Sequence, residues 1–406
     1  MTYRIFPAPG FPAGPLAATM AMQTIATMAA FSVPALAPAI ARDLDADGAL
    51  AGYFVSLVYG TGIVSSLLAA GLIHRFGAVR MSQCVLAATI AMLLICASGG
   101  LWALAAGAIM LGTMYGATAP VSAHLLVPRT PPAILNLVLS IRQIGVPLGG
   151  VMAALLLPSL ALHLGWRSSL LLLIIPAAAA LLLLEVPRRA WDLGSGAAPR
   201  ARAGSLRQAT HLLAGSGELR RLTLASFIYS GLQLTFVAFI TVQLTSRAQF
   251  GLVAAGQALA LYQIAGVLCR PLWGWIADRW MTARALLVWH GLLMGAAAAA
   301  AAHFSAEWPQ PLVLLVCLFA GLTANGYTGI AYAEFARLGG AQRTEATGLG
   351  SAAMFSGVLV LPSLAATVVT VTGSYVLAFT AFGIATALAA VVLARGGRHA
   401  AASRQR

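Results

Sequence analysis

The chain contains no lysine; all 24 of its basic residues are arginine. That absence excludes a nucleotide-binding loop of the form G-x-x-x-x-G-K-[ST], whose lysine reaches the phosphates. Acids are scarce too. Ten Asp and Glu leave only 8% of residues charged, with a net charge of +14. A soluble globular domain carries about 25% charged residues. With 60% hydrophobic residues, this chain finds its solvent in the bilayer. The positive charge does not indicate nucleic acid, because the arginines lie in short loops between apolar runs and not on a soluble basic module. Cysteine is equally sparse. Cys84, Cys96, Cys269 and Cys317 lie inside apolar runs, at spacings that fit neither a zinc site nor a disulfide framework. They read as small buried hydrophobes. Paired carboxylates, metal-ligand clusters and nucleophile–base pairs are missing at membrane depth, so neither an enzyme nor a cofactor or metal is expected.

What the chain has is long apolar runs. Windows of about 20 residues mark spanning helices. Twelve are expected: Leu16–Ile40, Ala49–Ile73, Met81–Ala97, Leu101–Val127, Ala133–Leu157, Ser168–Leu184, Arg221–Thr245, Gly251–Ile276, Ala285–His303, Pro311–Ala336, Ala346–Val369 and Tyr375–Ala394. The first is too long for a signal-peptide core and reads as a retained span. One long polar stretch, 185–220, is rich in Gly, Ala, Pro, Ser and Arg. It reads as a basic linker on anionic headgroups, with a short surface helix around Leu206, Leu212, Leu213 and Leu219. The chain thus divides into a six-helix bundle (1–184), the linker (185–220) and a second six-helix bundle with a short basic tail (221–406).

Loop charge sets the orientation. With the N-terminus inside, the cytoplasmic segments hold Arg4, Arg75, Arg80, Arg129, the cluster from Arg188 to Arg221, Arg279, Arg284, Arg337, Arg343 and the tail after Arg395. The other side keeps Arg42, Arg167 and Arg247, with Asp43, Asp45, Asp47 and Glu307. Both termini are expected in the cytoplasm.

A short signature occurs twice, each copy closing the second span of its half. The first is Gly71-Leu72-Ile73-His74-Arg75-Phe76-Gly77 with Arg80. The second is Gly274-Trp275-Ile276-Ala277-Asp278-Arg279-Trp280 with Arg284. The fifth span carries Gly145-Val146-Pro147-Leu148-Gly149-Gly150, suited to helix packing. Six plus six spans, a basic central loop and the repeated signature resemble the major facilitator superfamily across nearly the whole chain. The family pattern after span two is like G-x-x-x-D-R-x-G-R. The second copy keeps Gly274, Asp278 and Arg279, but Trp280-Met281 replaces the usual glycine. In the first copy, Arg75, Gly77 and Arg80 match, Ala70 replaces the first Gly and His74 replaces the Asp. The fourth span lacks the Arg often seen near its start. The resemblance implies an all-α membrane protein of twelve transmembrane helices in two pseudo-symmetric six-helix bundles. It also implies a multi-pass location in a bacterial-type inner membrane.

These residues also have a physical reading. An Asp-Arg pair at the membrane edge can bond a helix terminus or a basic group, forming in one conformation and breaking in another. His74 cannot accept as a carboxylate does, so a first-half latch should be weaker or pH-dependent; a solvated loop histidine is the alternative. Glu334, near Arg337, reads as an edge ion pair or gate contact. Aligning Gly116 with Gly326 sets His124 opposite Glu334. Arg270, near the inner end of span eight, can snorkel to the surface and reads as structural.

Arg142 is the least expected residue. It lies about nine residues into span five, where a charge needs a wet cavity, a partner or an anionic substrate. A structural Arg bonded to helix carbonyls is the alternative. Gln23, Tyr59, Gln143, Gln233, Tyr262, Gln263, Asn325 and Tyr327 recur near mid-depth in the helices that line the cavity of this family. Singly they suit helix–helix bonding, and together a polar cavity. The leading reading is a secondary carrier for a small organic anion, working by alternating access as a monomer, with a coupling proton left open. Efflux of drugs or hydrophobic metabolites by proton antiport is the alternative, and a transporter-like membrane sensor is the alternative of another class.

Overall fold

Proline determines where several of the long apolar runs bend. The computed structural model describes residues 10–45, 50–192, 206–250 and 252–395, and among these there is no strand. Its helices are α1 (Ala13–Ala30), α2 (Ser32–Leu44), α3 (Leu50–Phe76), α4 (Ala78–Ala97), α5 (Leu101–Tyr115), α6 (Thr118–Leu126), α7 (Leu135–Arg142), α8 (Gly145–Leu172), α9 (Ile174–Leu183), α10 (Glu185–Trp191), α11 (Leu206–Gly215), α12 (Gly217–Ser246), α13 (Leu252–Arg279), α14 (Ala283–Ala302), α15 (Gln310–Ala324), α16 (Tyr327–Gly339), α17 (Arg343–Thr372) and α18 (Tyr375–Arg395).

Five interruptions fall about one turn before a proline. α1 ends four residues before Pro34, α8 four before Pro176, and α9 four before Pro187. Gly116, just past α5, precedes Pro120 by four; Gln143, just past α7, precedes Pro147 by four. Each ring clashes with the carbonyl four residues back and withholds the N–H that carbonyl would bind. The runs Leu16–Ile40, Leu101–Val127 and Ala133–Leu157 therefore each hold a broken helix and not the single rod expected. Pro158, Pro271 and Pro362 stay inside helices. Gly165 adopts φ +78° within α8, where a turn joins the fifth span to the sixth.

Nine segments of the described chain are long and apolar enough to cross a membrane. Two of them, Pro132–Trp191 and Gln310–Thr372, run to 60 and 63 residues. Each is long enough for two crossings at about 20 residues apiece. The 28-residue α13 adds another, giving twelve. The polar stretch 185–220 contains α10 and α11, with Leu219 falling in α12. Residues 193–205, the tail 396–406, Arg4 and Asp47 lie outside the described residues.

The helices gather into two compact units, neither continuous in sequence. The first comprises Met1–Pro132, Arg142–Thr210 and Gly339–Ala352; the second comprises Ala133–Ile141, His211–Leu338 and Ala353–Arg406. Compared with a division at the linker, residues 133–141 and 339–352 change places. Within each unit the same pairings recur. In the first, α3 packs on α5 and α4 on α9; in the second, α13 packs on α15 and α14 on α18. These pairs join the second span to the fourth and the third to the sixth in each half, as a duplication requires.

Candidate substrate and latch sites

In the first unit, Arg142 is the last residue of α7, immediately before the break that Pro147 imposes. Its side chain is 2% exposed, so it opens onto no wet cavity here. Nε donates to Ser122 Oγ at 2.8 Å. Nη2 donates to Gln23 Oε1 at 2.7 Å and to the Thr118 carbonyl at 2.8 Å, and Nη1 donates to Gln143 Oε1. These four acceptors are all neutral. A central Arg costs about 2.5–3.5 kcal/mol on insertion scales. Hydrogen bonds to a charged group return roughly 1.5–3 kcal/mol each, so the network offsets that cost.

Gln23 extends the cluster. Its Nε2 donates to Thr27 Oγ1 at 2.8 Å and to the Tyr115 hydroxyl at 3.4 Å. Tyr59 stands edge-on to Tyr115 with ring centroids 6.0 Å apart. The structure thus brings together Arg142, Gln143, Gln23 and Tyr59. It adds Thr27, Tyr115, Thr118 and Ser122, which sequence reasoning did not single out. Their one signal was position: Tyr115 and Thr118 flank the Gly116 break, and Ser122 follows Thr118 by one turn.

Gly145 and Gly149 hold this cluster against α1. A Cβ at Gly145 would meet the Met20 carbonyl, and one at Gly149 the Thr24 carbonyl and Met28 N. A Cβ at Gly150 would meet nothing within 4 Å, so Gly150 takes no part in that packing. Pro147 acts by placing the break.

In the second unit a smaller polar group forms. Gln233 Nε2 donates to Asn325 Oδ1 at 2.7 Å, and the Tyr262 hydroxyl to the Gln233 carbonyl at 3.3 Å. Tyr327 stands edge-on to Tyr229 at 5.4 Å. Gln263 is half-buried. Arg270 does not snorkel. It is 3% exposed, and its Nε donates to the Asn325 carbonyl at 3.0 Å. Asn325 sits at the break between α15 and α16. Each unit therefore has a buried arginine bonded to a carbonyl where its fourth span is interrupted.

The two signature copies are built differently. In the second unit, Asp278 caps α7. Its Oδ1 accepts from Asn136 N at 3.1 Å and Asn136 Nδ2 at 2.8 Å, and its Oδ2 from Leu137 N at 2.9 Å. An acid at a helix N-terminus satisfies donors with no intrahelical partner. Burial holds this carboxyl, which lies past the end of its crossing, above its ordinary range; the donors from Leu137 and Asn136 pull it back. Gly274 permits the close approach: a Cβ there would meet Leu137 Cα, the Asn136 carbonyl and Ser140.

In the first unit His74 replaces that acid, and the acid sits on the helix instead. Glu345, in the first turn of α17, faces His74 with Oε1 3.2 Å from Nε2. His124 stands edge-on to His74 at 5.8 Å, and its Nδ1 lies 3.0 Å from Thr344 Oγ1. His124 is thus tied to the start of α17. Glu334, 4% exposed, is held by Arg337 through two hydrogen bonds of 2.6 and 2.7 Å. It is the ion pair expected: Glu334 is buried, and the Arg337 side chain that holds it is 60% exposed. Gly77 turns the chain at φ +90°. Arg75 and Arg279 are exposed. Arg80 reaches away from this cluster, donating to Gln83 and Glu185. Sequence reasoning missed Glu345; its signal was an acid in the first turn of span eleven.

The description of the Major Facilitator Superfamily matches residues 19–336 and, again, residues 222–406. Comparison with curated proteins finds no match. Among solved structures, the chain is similar to the proton:xylose symporter XylE bound to 6-bromo-6-deoxy-D-glucose, at 14% identity, 95% coverage of each chain and a TM-score of 0.74. It is similar to the E. coli fucose:proton symporter FucP, at 14% identity, covering 93% of this chain and 97% of that one, with a TM-score of 0.71. It is also similar to the human organic anion transporter MFSD10 (TETRAN), at 16% identity, covering 94% and 99%, with a TM-score of 0.72. At these identities the likeness is one of fold.

Proposed function

This chain belongs to the major facilitator superfamily, and from that premise we propose that its cargo is a small organic anion, bound at Arg142. As a member of the family it is a membrane transporter and not an enzyme. The observation that carries the anion reading is a full positive charge at membrane depth, held by neutral oxygens from Gln23, Gln143, Ser122 and Thr118. Two of these are amide side chains that can turn aside. A substrate carboxylate replacing them would exchange neutral acceptors for a charged one, and charge-assisted bonds are roughly twice as strong. Arginine also offers a planar fork for a carboxylate. Solved relatives of this fold include both sugar symporters and an organic anion transporter, so support for the anion comes from Arg142 and not from the fold.

Transport proceeds in this reading by alternating access of two bundles, with both termini cytoplasmic on the arginine distribution. The Asp278 cap and the His74–Glu345 pair act as latches that form in one state and release in another. Proton linkage has an observation in its favour: His74 and Glu345 make an ion pair only while the imidazole carries a proton.

Counterflow in liposomes tests the cargo. Labelled carboxylates, sugars and cationic dyes are offered with and without a pH gradient. Carboxylate counterflow should occur in the parent protein and be lost in Arg142→Ala that still elutes as a folded species. Transport of a sugar or cation, unaffected by Arg142→Ala, would overturn the reading.

A further inference from the structure

The second unit holds a separate feature that the transport reading leaves unused. A cavity of about 190 Å³ is lined by Trp273, Met281, Leu286, Trp289, His290, Leu293 and Thr323. The lining is largely apolar, with His290 and Thr323 as its polar side chains. His290 is 1% exposed. Its Nδ1 lies 2.7 Å from the Leu286 carbonyl, and a carbonyl only accepts, so Nδ1 carries the ring proton. In the neutral ring Nε2 is then an acceptor. It is buried and has no hydrogen-bond partner among the described residues. A second ring proton would instead set an unpaired charge in an apolar cavity.

Two neighbouring donors are already engaged. Trp273 stands edge-on at 4.8 Å, but its Nε1–H donates to the Leu322 carbonyl at 2.8 Å. The Thr323 hydroxyl donates to the Phe319 carbonyl at 2.9 Å. A water would need two to four polar partners, and this lining offers few. Trp289 and Leu293 are 54% and 43% exposed on α14, a spanning helix whose outer face meets lipid. These two side chains form the exposed mouth of the cavity, beside Met281 in the turn between α13 and α14.

We propose that this cavity binds a small neutral amphiphile dissolved in the membrane, the size of one aromatic ring with a short alkyl group, whose single O–H donates to His290 Nε2. Size restricts the class: an apolar cavity of about 150 Å³ takes a benzene ring, so a whole lipid does not fit. The hydroxyl satisfies the orphan acceptor, while the apolar body fills the rest. Trp273 lines the site and bonds Leu322, three residues before Asn325, so the occupant abuts the segment that carries the second polar group.

The test uses the full-length protein in nanodiscs, with 4-ethylphenol and its methyl ether as matched probes in a thermal-unfolding titration. One hydrogen bond to a buried acceptor predicts roughly tenfold tighter binding of the phenol. In His290→Phe, which keeps a ring in place, that preference should vanish. Should this variant fail to fold, Leu293→Trp, set at the exposed mouth, should weaken both probes together. Equal binding of the two probes to the parent protein would overturn the proposal. So would binding of neither, the result expected if water satisfies Nε2, or a phenol preference that survives in His290→Phe.

Discussion

A double-mutant cycle on His74 and Glu345 should show a coupling that fades as pH rises. At 3.2 Å, Coulomb's law gives about 5 kcal/mol for unit charges at an effective dielectric near 20. That figure is a ceiling. The His74 side chain is 32% exposed and that of Glu345 11%, so solvent screens the pair. Exposed pairs measure about 0.2–1 kcal/mol, and a pair this enclosed should reach about 1–2 kcal/mol. The neighbouring Arg343 opposes the imidazolium and belongs in the comparison, as does His124, whose ring stands edge-on to it. Once the imidazole is neutral, only an ordinary hydrogen bond of about 0.5–1.5 kcal/mol is left.

The ion pair exists only while His74 is protonated and Glu345 is not. Its coupling is therefore present on the acid side of the imidazole titration and declines as pH rises through it, at a pH that the hydrogen bond to Glu345 raises above the ordinary histidine value. The assay is denaturant or thermal unfolding of the purified protein in detergent. It compares the parent, His74→Gln, Glu345→Gln and the double variant, at about one pH unit below and two above that titration. The expected loss of coupling between the two conditions is about 1 kcal/mol. A coupling of zero at the lower pH, or one that grows as pH rises, would refute the latch.

Two further results should follow. Asp278→Ala removes the cap from α7 and should cost about 1–2 kcal/mol of stability. Asp278→Asn, which can still accept, should cost less; equal costs in unfolding measurements would show that the cap contributes nothing. Gly149→Ala sets a methyl against the Thr24 carbonyl and should destabilise by about 1–3 kcal/mol through overpacking. Gly150→Ala, facing open space, should stay within about 0.5 kcal/mol, and a reversed order in thermal unfolding would refute the assigned faces.

Much of the architecture was legible because bilayer energetics act residue by residue. Twelve apolar runs and the repeated signature needed no knowledge of contacts. The breaks were also written in the chain, though the apolar runs were read as continuous rods. Pro34, Pro120 and Pro147 each break the helix one turn back, and periodicity alone does not register that. The polar set was partly legible. Arg142, Gln23, Gln143 and Tyr59 do converge, whereas a Cβ at Gly150 would meet nothing. The direction of Arg270 was misread, since its depth suggests snorkelling while the interrupted fourth span offers it a carbonyl.

The first signature copy shows where sequence reasoning stops. Reading along the chain, His74 is a lost acid. In three dimensions the acid is Glu345, 271 residues away, on the helix it faces. By itself, the sequence determined that this chain is a duplicated helical membrane protein, because composition, run length and loop charge are local properties summed over the chain. Tertiary structure alone decided which partners each polar group takes. It set Arg142 among neutral oxygens, gave Asp278 a helix to cap and left His290 an acceptor without a donor. Hydrogen bonds depend on distances of about 3 Å, and residues far apart in sequence reach such distances only when packing brings them there.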